Sequence, residues 1–336
     1  LTGAWAQALA SPVVTALRWG LLSTARINDA LLGAGNADVV AVASRDPQRA
    51  RAYAAERGIP RAHGSYEALL ADPEVDVVYV SLPNSLHLPW AERSLRAGKH
   101  VLCEKPLSRR AADVEAAFAL AEREGLVLTE GFMWRHHPQV AQAQRLIADG
   151  AIGTLRLIRA EFAGPVALAG DPRLLRAMDG GALMDVGCYC VSGARALAGG
   201  EPLEVHAQRA AGGEDVDLAL TALLRFDGDV LATFDCAFVG PHRSGLEAIG
   251  DTGRLRLTDP WHARDPVLEL AREGEPVERL AAERTNHYAL QVADVEAAAR
   301  GERPPLLGRD DALGQARAIE ALYASAEAGA ATPVAR

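Results

Sequence analysis

Between Leu17 and Glu130, five short apolar runs alternate with stretches whose apolar residues recur three and four positions apart. The runs are Leu17–Leu22, Val39–Ala43, Val75–Ser81, Lys99–Glu104 and Leu126–Glu130. The helical stretches between them are Arg26–Leu32, Pro47–Arg57, Leu88–Ala97 and Arg110–Arg123. This alternation specifies a parallel sheet with helices on both faces. Such a sheet binds its ligand in the crevice beyond the C-terminal ends of its strands.

The pattern changes after about residue 150. A helix at Gln139–Asp149 leads into an extended stretch at Thr154–Phe162, and a Gly-rich stretch precedes a helix at Asp185–Leu197. Strand patterns follow at Leu203–Arg209, Asp217–Phe226, Val230–Phe238, Gly245–Gly250 and Gly253–Thr258. Phe226-Asp227-Gly228-Asp229-Val230 reads as a hairpin turned by Asp-Gly. Both faces of its strands are mainly apolar or small, so one face is expected to cover helices and the other to meet a second subunit. Two helices, His287–Arg300 and Asp310–Glu327, close the pattern. The expected division is residues 1–16 as an arm or tag, 17–135 as a dinucleotide-binding domain, and 136–336 as a substrate-binding and oligomerisation domain. A chain of 336 residues is long enough for two such cores.

Charge narrows the partners. With 35 Lys+Arg against 44 Asp+Glu the net charge is −9, which disfavours a nucleic-acid groove. No apolar run approaches the roughly 18 residues of a membrane span. Cys103, Cys188, Cys190 and Cys236 have neither zinc-ligand spacing nor the density of a disulfide framework, so reduced thiols in a cytoplasmic protein are expected. No metal site is expected either: His136-His137 is an adjacent pair whose side chains diverge.

The first strand-to-helix turn, from Gly20 to Asn28, has Ser23, Ala25 and Asn28 where a dinucleotide fingerprint has glycines. Small side chains at Ser23, Thr24 and Ala25, followed by Arg26 and Ile27, still let the backbone approach a pyrophosphate. The second strand ends in Ser44-Arg45, with no carboxylate at either position for the ribose of NAD. A hydroxyl and a guanidinium, with Arg49 one helical turn along, suit a 2′-phosphate and favour NADP(H) over NAD(H). The fourth apolar run ends Cys103-Glu104-Lys105-Pro106, a lysine at the strand end where such sheets place chemistry.

Four segments together carry a specific resemblance: Val78–His87, Ala97–Pro106, Glu130–Pro138 and Gly180–Tyr189. The chain from Leu17 to Ala328 resembles the Gfo/Idh/MocA oxidoreductases, and departs from their pattern at the glycine-poor turn. The resemblance implies a Rossmann NADP-binding domain joined to an α/β domain with an open, mainly antiparallel sheet. It implies that Lys105 reaches the active site, with a bond to Pro106 that is often cis in the family, and that Asp185 and Tyr189 complete the catalytic set. Tyrosine at the last position resembles the branch that holds NADP-dependent xylose dehydrogenase, dimeric dihydrodiol dehydrogenase, glucose–fructose oxidoreductase and deoxysugar ketoreductases. Asn84 and His87 resemble family positions that contact the cofactor's ribose or nicotinamide; Leu82 and Glu104 are also expected on the cofactor side, Trp134 and Arg135 at the nicotinamide wall, and Tyr288, at the start of a late helix, at the substrate.

The chemistry accounts for these residue types. Oxidising an alcohol removes a hydride from carbon, which nicotinamide accepts, and a proton from oxygen, which a positioned base must take. A tyrosine with a pKa of about 10 needs roughly three units of downward shift, about 4 kcal/mol, to ionise at neutral pH. Lys105 beside Tyr189 would favour that shift and hold the substrate hydroxyl, while Asp185 binds a neighbouring hydroxyl or orients Tyr189. The expected reaction is NADP-dependent oxidation of an aldose at its anomeric carbon, with keto-sugar reduction and dihydrodiol oxidation as alternatives. Cofactor-assisted glycoside cleavage also uses this family's fold. A noncatalytic ligand-sensing regulator is the reading from another class, and such a protein would be expected to have lost Lys105 or Tyr189.

Overall fold

The computed structural model describes residues 16–166 and 170–335, so the expected arm lies outside the described residues except for residue 16. The first sheet contains β1 (Arg18–Leu21), β2 (Asp38–Ala43), β3 (Arg61–His63), β4 (Val77–Val80), β5 (His100–Cys103) and β6 (Leu128–Glu130). All pairings are parallel, in the order β3-β2-β1-β4-β5-β6. Strand order reverses between β1 and β4, which opens a crevice at their C-terminal ends. The accompanying helices are α1 (Asn28–Leu32), α2 (Pro47–Arg57), α3 (Tyr66–Leu70), α4 (His87–Arg96) and α5 (Ala111–Glu124).

Both faces of this sheet are buried, which is why its strands read as continuous apolar runs. Trp19, Leu21, Val42, Tyr79 and Leu102 pack on one face, with Val292 and Val295 from far along the chain in the same cluster. Leu22, Val78, Val80 and Val101 pack on the other, with Leu313 and Ala316. The sequence pattern missed β3 and α3. A three-residue Arg-Ala-His strand and a five-residue helix are too short to show a period.

After α6 (Pro138–Ala148), β7 (Leu155–Ala163) opens the second sheet, and a turn of π-helix at Leu183–Gly187 runs into α7 (Cys188–Ala198). The sheet continues with β8 (Glu204–Ala211), β9 (Asp217–Arg225), β10 (Leu231–Ala237), β11 (Arg243–Gly250), β12 (Gly253–Leu257), β13 (Val267–Arg272) and β14 (Glu278–Ala281). α8 (His287–Ala299), α9 (Arg309–Ala328) and the two-residue β15 (Thr332–Pro333) follow. The order is β14-β13-β12-β11-β7-β10-β9-β8-β15, antiparallel throughout except where β10 runs parallel to β7. The expected Asp-Gly hairpin joins β9 to β10, with Gly228 at φ 71° in the turn.

The inner face of this sheet buries Leu220, Ala222, Leu224, Phe234 and Leu246 against Val191, Ala194 and Ile319. Its outer face differs from the apolar surface expected. Leu223 and Leu231 are exposed, but around them lie Thr221, Thr233 and an ion-pair network of Arg243 with Asp235 and Glu161. A depression of about 710 Å³ crosses this face. Among the described residues, no helix is long and apolar enough to cross a membrane.

Candidate active site

Lys105 leaves the C-terminal end of β5 on a cis peptide bond to Pro106. Its ammonium donates to the backbone carbonyl of Asp185 at 2.7 Å and approaches Asp185 Oδ1 at 3.2 Å. It also lies over the Tyr189 ring, 4.8 Å from the centroid. The π-turn and the first turn of α7 set Asp185 and Tyr189 four residues apart on one side. Lys105 therefore comes from the end of a first-sheet strand, and Asp185 and Tyr189 from the π-turn and helix α7, to converge at one point.

The loop before the π-turn supplies an unexpected neighbour. Arg173 holds Asp171 through two nitrogens, and its Nη1 reaches Asp185 Oδ2 at 3.3 Å. Asp185 thus lies between two cations. Asp179 of the same loop accepts from Asn84 through its backbone carbonyl at 2.9 Å and pairs with Arg109 through its carboxylate at 3.0 Å. Asp217 ties the loop's end down by accepting the Leu183 N–H at 2.6 Å and the Tyr323 hydroxyl at 2.9 Å. Position 181 needs glycine, because φ is 128° and a Cβ there would stand 2.2 Å from Asp217 Oδ1. Arg173 carries no periodic or motif signal in the sequence, so only the folded loop reveals it.

Electrostatics at the centre run against ready ionisation of the tyrosine. Tyr189 is buried with ring edges of Phe132 and Phe162 against it, and its hydroxyl donates to Met133 Sδ at 3.5 Å. Burial pushes the phenol well above its ordinary pKa, with Lys105 pulling the other way. Burial also works against the Lys105 ammonium, but Tyr189, Cys188, Asp185 and Glu104 outweigh it and hold its pKa above the ordinary lysine value. The free protein therefore carries a neutral Tyr189 beside a charged Lys105, whereas the sequence reading anticipated conditions for a downward shift. Glu104 accepts from the Tyr79 hydroxyl at 2.5 Å, and burial raises its pKa despite the nearby lysine. Tyr288, N-terminal on α8, lies within electrostatic reach of Glu104, Lys105 and Tyr189.

At the first strand-to-helix turn, side chains tie the backbone together where the dinucleotide fingerprint has glycines. Ser23 Oγ contacts Ser81 Oγ at 2.7 Å and accepts the Ala25 N–H at 3.0 Å, while Asn28 donates to the Ser23 carbonyl at 2.8 Å. The amides of Asn28, Asp29 and Ala30 bond back to the carbonyls of Ala25, Arg26 and Ile27. They are therefore used within the turn, in which Thr24 and Ala25 are partly exposed and Arg26 and Ile27 exposed. Ser44 Oγ accepts the Asp46 N–H, and Asp46 caps α2 through the Gln48 and Arg49 amides. Arg45 and Arg49 are exposed, and neither joins an ion pair among the described residues.

Three residues expected on the cofactor side are engaged in contacts within the protein. The His87 ring is 1% exposed, with Nδ1 2.8 Å from the Pro106 carbonyl and Nε2 2.7 Å from that of Leu82. Trp134 is fully buried, edge-on to Trp261. Arg135 turns to Asp311 of α9 at 3.1 Å, so Asp311 does more than complement the helix dipole. Among the described residues no group of three His, Cys, Asp or Glu side chains could hold a metal ion.

The buried ionisable groups make stability non-monotonic in pH. Burial pulls His87 and His287 down to about 4 and pushes Glu130 up to about 8. Below pH 6.5 the unfolded chain protonates two histidines that the folded chain keeps neutral, so stability is lost as pH falls. From pH 4.5 to 8 the folded chain holds a proton on Glu130 that the unfolded chain releases, so that contribution is lost as pH rises. Stability from these groups should peak near pH 6.5, falling by about 2 kcal/mol at pH 4.5 and about 1 kcal/mol at pH 8. Urea midpoints across that range would show it; a steady rise from pH 4.5 to 8 would contradict these assignments.

A parallel sheet with its switch-point crevice, a phosphate-approach turn and a lysine–aspartate–tyrosine cluster at the strand ends define a nucleotide-dependent oxidoreductase. The family models agree: residues 19–132 match an oxidoreductase family with an NAD-binding Rossmann fold, and residues 140–256 match a GFO/IDH/MocA C-terminal domain. The chain belongs to the Gfo/Idh/MocA oxidoreductase family. It is 35% identical over 325 residues to D-xylose 1-dehydrogenase (NADP(+)) 2 of Haloferax volcanii, covering 94% of this chain and 99% of that protein. Its fold is similar to an aldose-aldose oxidoreductase from Caulobacter crescentus complexed with glycerol, with TM-score 0.87 and 28% identity, covering 95% of this chain and all of that one. It is also similar to KijD10, a 3-ketoreductase from Actinomadura kijaniata in complex with NADP and TDP-benzene, with TM-score 0.86 and 32% identity over 93% of this chain and 98% of that one.

Proposed function

We propose that the protein is an NADP(H)-dependent oxidoreductase that oxidises an aldose at its anomeric carbon. The observation that carries this reading is the convergence of Lys105, Asp185 and Tyr189 at one point in the crevice. When bound, the nicotinamide supplies the acceptor for the hydride leaving carbon. Lys105 and Asp185 hold adjacent hydroxyls of the sugar, and the alcohol proton passes to Tyr189 as the phenolate or to Lys105 as the free amine, whichever of the pair has first given up its own proton. The aromatic surround of Phe132, Phe162 and Trp261 keeps water from that proton.

The charge pattern supports an uncharged sugar over a nucleotide-linked one. Arg173 beside Asp185, and Arg109 on the same loop's Asp179, are each paired, with Asp171 and Asp185 and with Asp179 respectively. A diphosphate would have to displace those carboxylates. Keto-sugar reduction is the second reading, favoured by the similarity to the 3-ketoreductase.

The deciding measurement is nicotinamide absorbance with NADP⁺ or NAD⁺ across a panel of aldoses, repeated with Lys105→Ala. Reduction of NADP⁺ by one or two sugars, lost in the variant, supports the reading. Silence with every aldose, alongside NADPH oxidation by a keto-sugar, replaces it with the second.

Two finer assignments belong to the same proposal. The exposed guanidinium of Arg45, with Arg49 beside it and Asp46 committed to its helix cap, suits a 2′-phosphate. Arg45→Ala should weaken NADPH about tenfold while changing NADH less than twofold, read by fluorescence titration. Equal losses would remove Arg45 from cofactor choice. The outer face of the second sheet receives a second copy of this chain around Leu223 and Leu231. Sedimentation should give at least a dimer mass, and a concentration-independent monomer would overturn it.

A further inference from the structure

The turn that aims Lys105 is gripped by two buried side chains that do not reach the crevice. His87, at the start of α4, spans from the Leu82 carbonyl at the end of β4 to the Pro106 carbonyl beside Lys105. Glu130, at the end of β6, accepts the Leu107 N–H through Oε1 at 2.8 Å and is 1% exposed. The residues flanking Lys105 on its C-terminal side are thus bonded by the two elements that pack beside β5. Without a side-chain donor on the Pro106 carbonyl or an acceptor for the Leu107 amide, buried backbone groups would be left unpaired, and the turn would shift to satisfy them.

We propose that His87 and Glu130 are positioning residues that clamp the Lys105–Leu107 turn and thereby set where the Lys105 ammonium stands over Tyr189. The inference rests on the reading of Lys105 as a catalytic residue. It makes His87 an organiser of the site, one layer behind the cofactor. A neutral imidazole donates a single N–H, and in the proposed clamp it sits on Nδ1, 2.8 Å from the Pro106 carbonyl, leaving Nε2 to face the Leu82 carbonyl at 2.7 Å without a proton.

Asparagine and glutamine separate the two contacts, because an asparagine amide falls near the Nδ1 position and a glutamine amide near Nε2. His87→Asn keeps a donor for Pro106, and His87→Gln keeps one only for Leu82. The expected result is kcat within about threefold of wild type for His87→Asn and about tenfold lower for His87→Gln, the worth of one hydrogen bond. Thermal midpoints should fall alike in both variants and KM should hardly move, a split that a purely structural histidine would not produce. High kcat in His87→Gln with loss in His87→Asn overturns the clamp, as do equal values in the two.

Glu130 reads the same turn from the other side should either histidine variant fail to fold. Glu130→Gln retains an acceptor for Leu107 and should keep kcat, whereas Glu130→Leu removes it and should lower kcat about tenfold; equal kcat in these two overturns the clamp. Lys105→Ala is assayed first. An active Lys105→Ala enzyme defeats the functional reading, whereas a His87→Gln enzyme with kcat equal to that of His87→Asn, beside an inactive Lys105→Ala enzyme, defeats the clamp alone.

Discussion

Lys105→Ala is expected to lower kcat about a thousandfold, within the range for removing a group that moves or stabilises a proton. Among the described residues the ammonium is the one cation that contacts both Asp185 and the Tyr189 ring, and its removal leaves Asp185 paired there with Arg173. Tyr189→Phe should lose most turnover as well while keeping cofactor affinity, since the phenol lies among Phe132, Phe162 and Met133. Because the two residues act as a unit, the double variant should lose little more than the worse single one. Burial raises the Tyr189 pKa, so kcat/KM for oxidation should climb through pH 9 without a plateau at neutrality. Wild-type turnover in Tyr189→Phe would remove that tyrosine from the mechanism.

Arg195→Met should cost about 3 kcal/mol of stability, the largest single loss expected away from the two cores. The guanidinium is buried in α7 and grips both oxygens of Glu201 at 2.6 and 2.7 Å, Gln315 Oε1 at 3.0 Å and the Asp311 carbonyl at 2.9 Å. Gln315 in turn donates to the Cys188 carbonyl, next to Tyr189. Gly314 makes room for this crossing, because a Cβ there would lie 2.5 Å from Arg195 Nη2. Half of Glu201 remains in water, so the loss comes chiefly from the unpaired groups on α9 and stays below that of a fully enclosed pair. Arg195→Lys should not restore it, since an ammonium cannot make the forked contact. Urea denaturation measures both variants, and a change under 1 kcal/mol would show the network to be dispensable.

The parts of the fold legible in sequence are those governed by local period. The apolar runs of β1, β2, β4, β5 and β6 and the helices between them follow directly from burial on both faces of a parallel sheet. β13 was not among the expected strands although Leu268 and Leu270 alternate with Glu269 as in a half-buried strand, and β14 is four mostly exposed residues with no apolar period. At the site, Lys105, Asp185 and Tyr189 were legible because each stands in a dense motif. Arg173 was not, since it belongs to a loop without periodicity and acquires meaning only at 3.3 Å from Asp185.

His87 shows the same limit from the other direction. Its motif marks it as important, and only the fold shows that its ring faces two backbone carbonyls rather than the crevice. The sequence by itself determined the strand–helix alternation, the position of the crevice and the identity of the central triad. The tertiary structure decided which side chains surround the triad, how α8 and α9 return to complete the first sheet, and that Tyr189 is a buried neutral phenol. The reason is physical: secondary structure follows from contacts three or four residues apart. Burial, charge pairing and proton affinity depend on groups brought together from a hundred or more residues away.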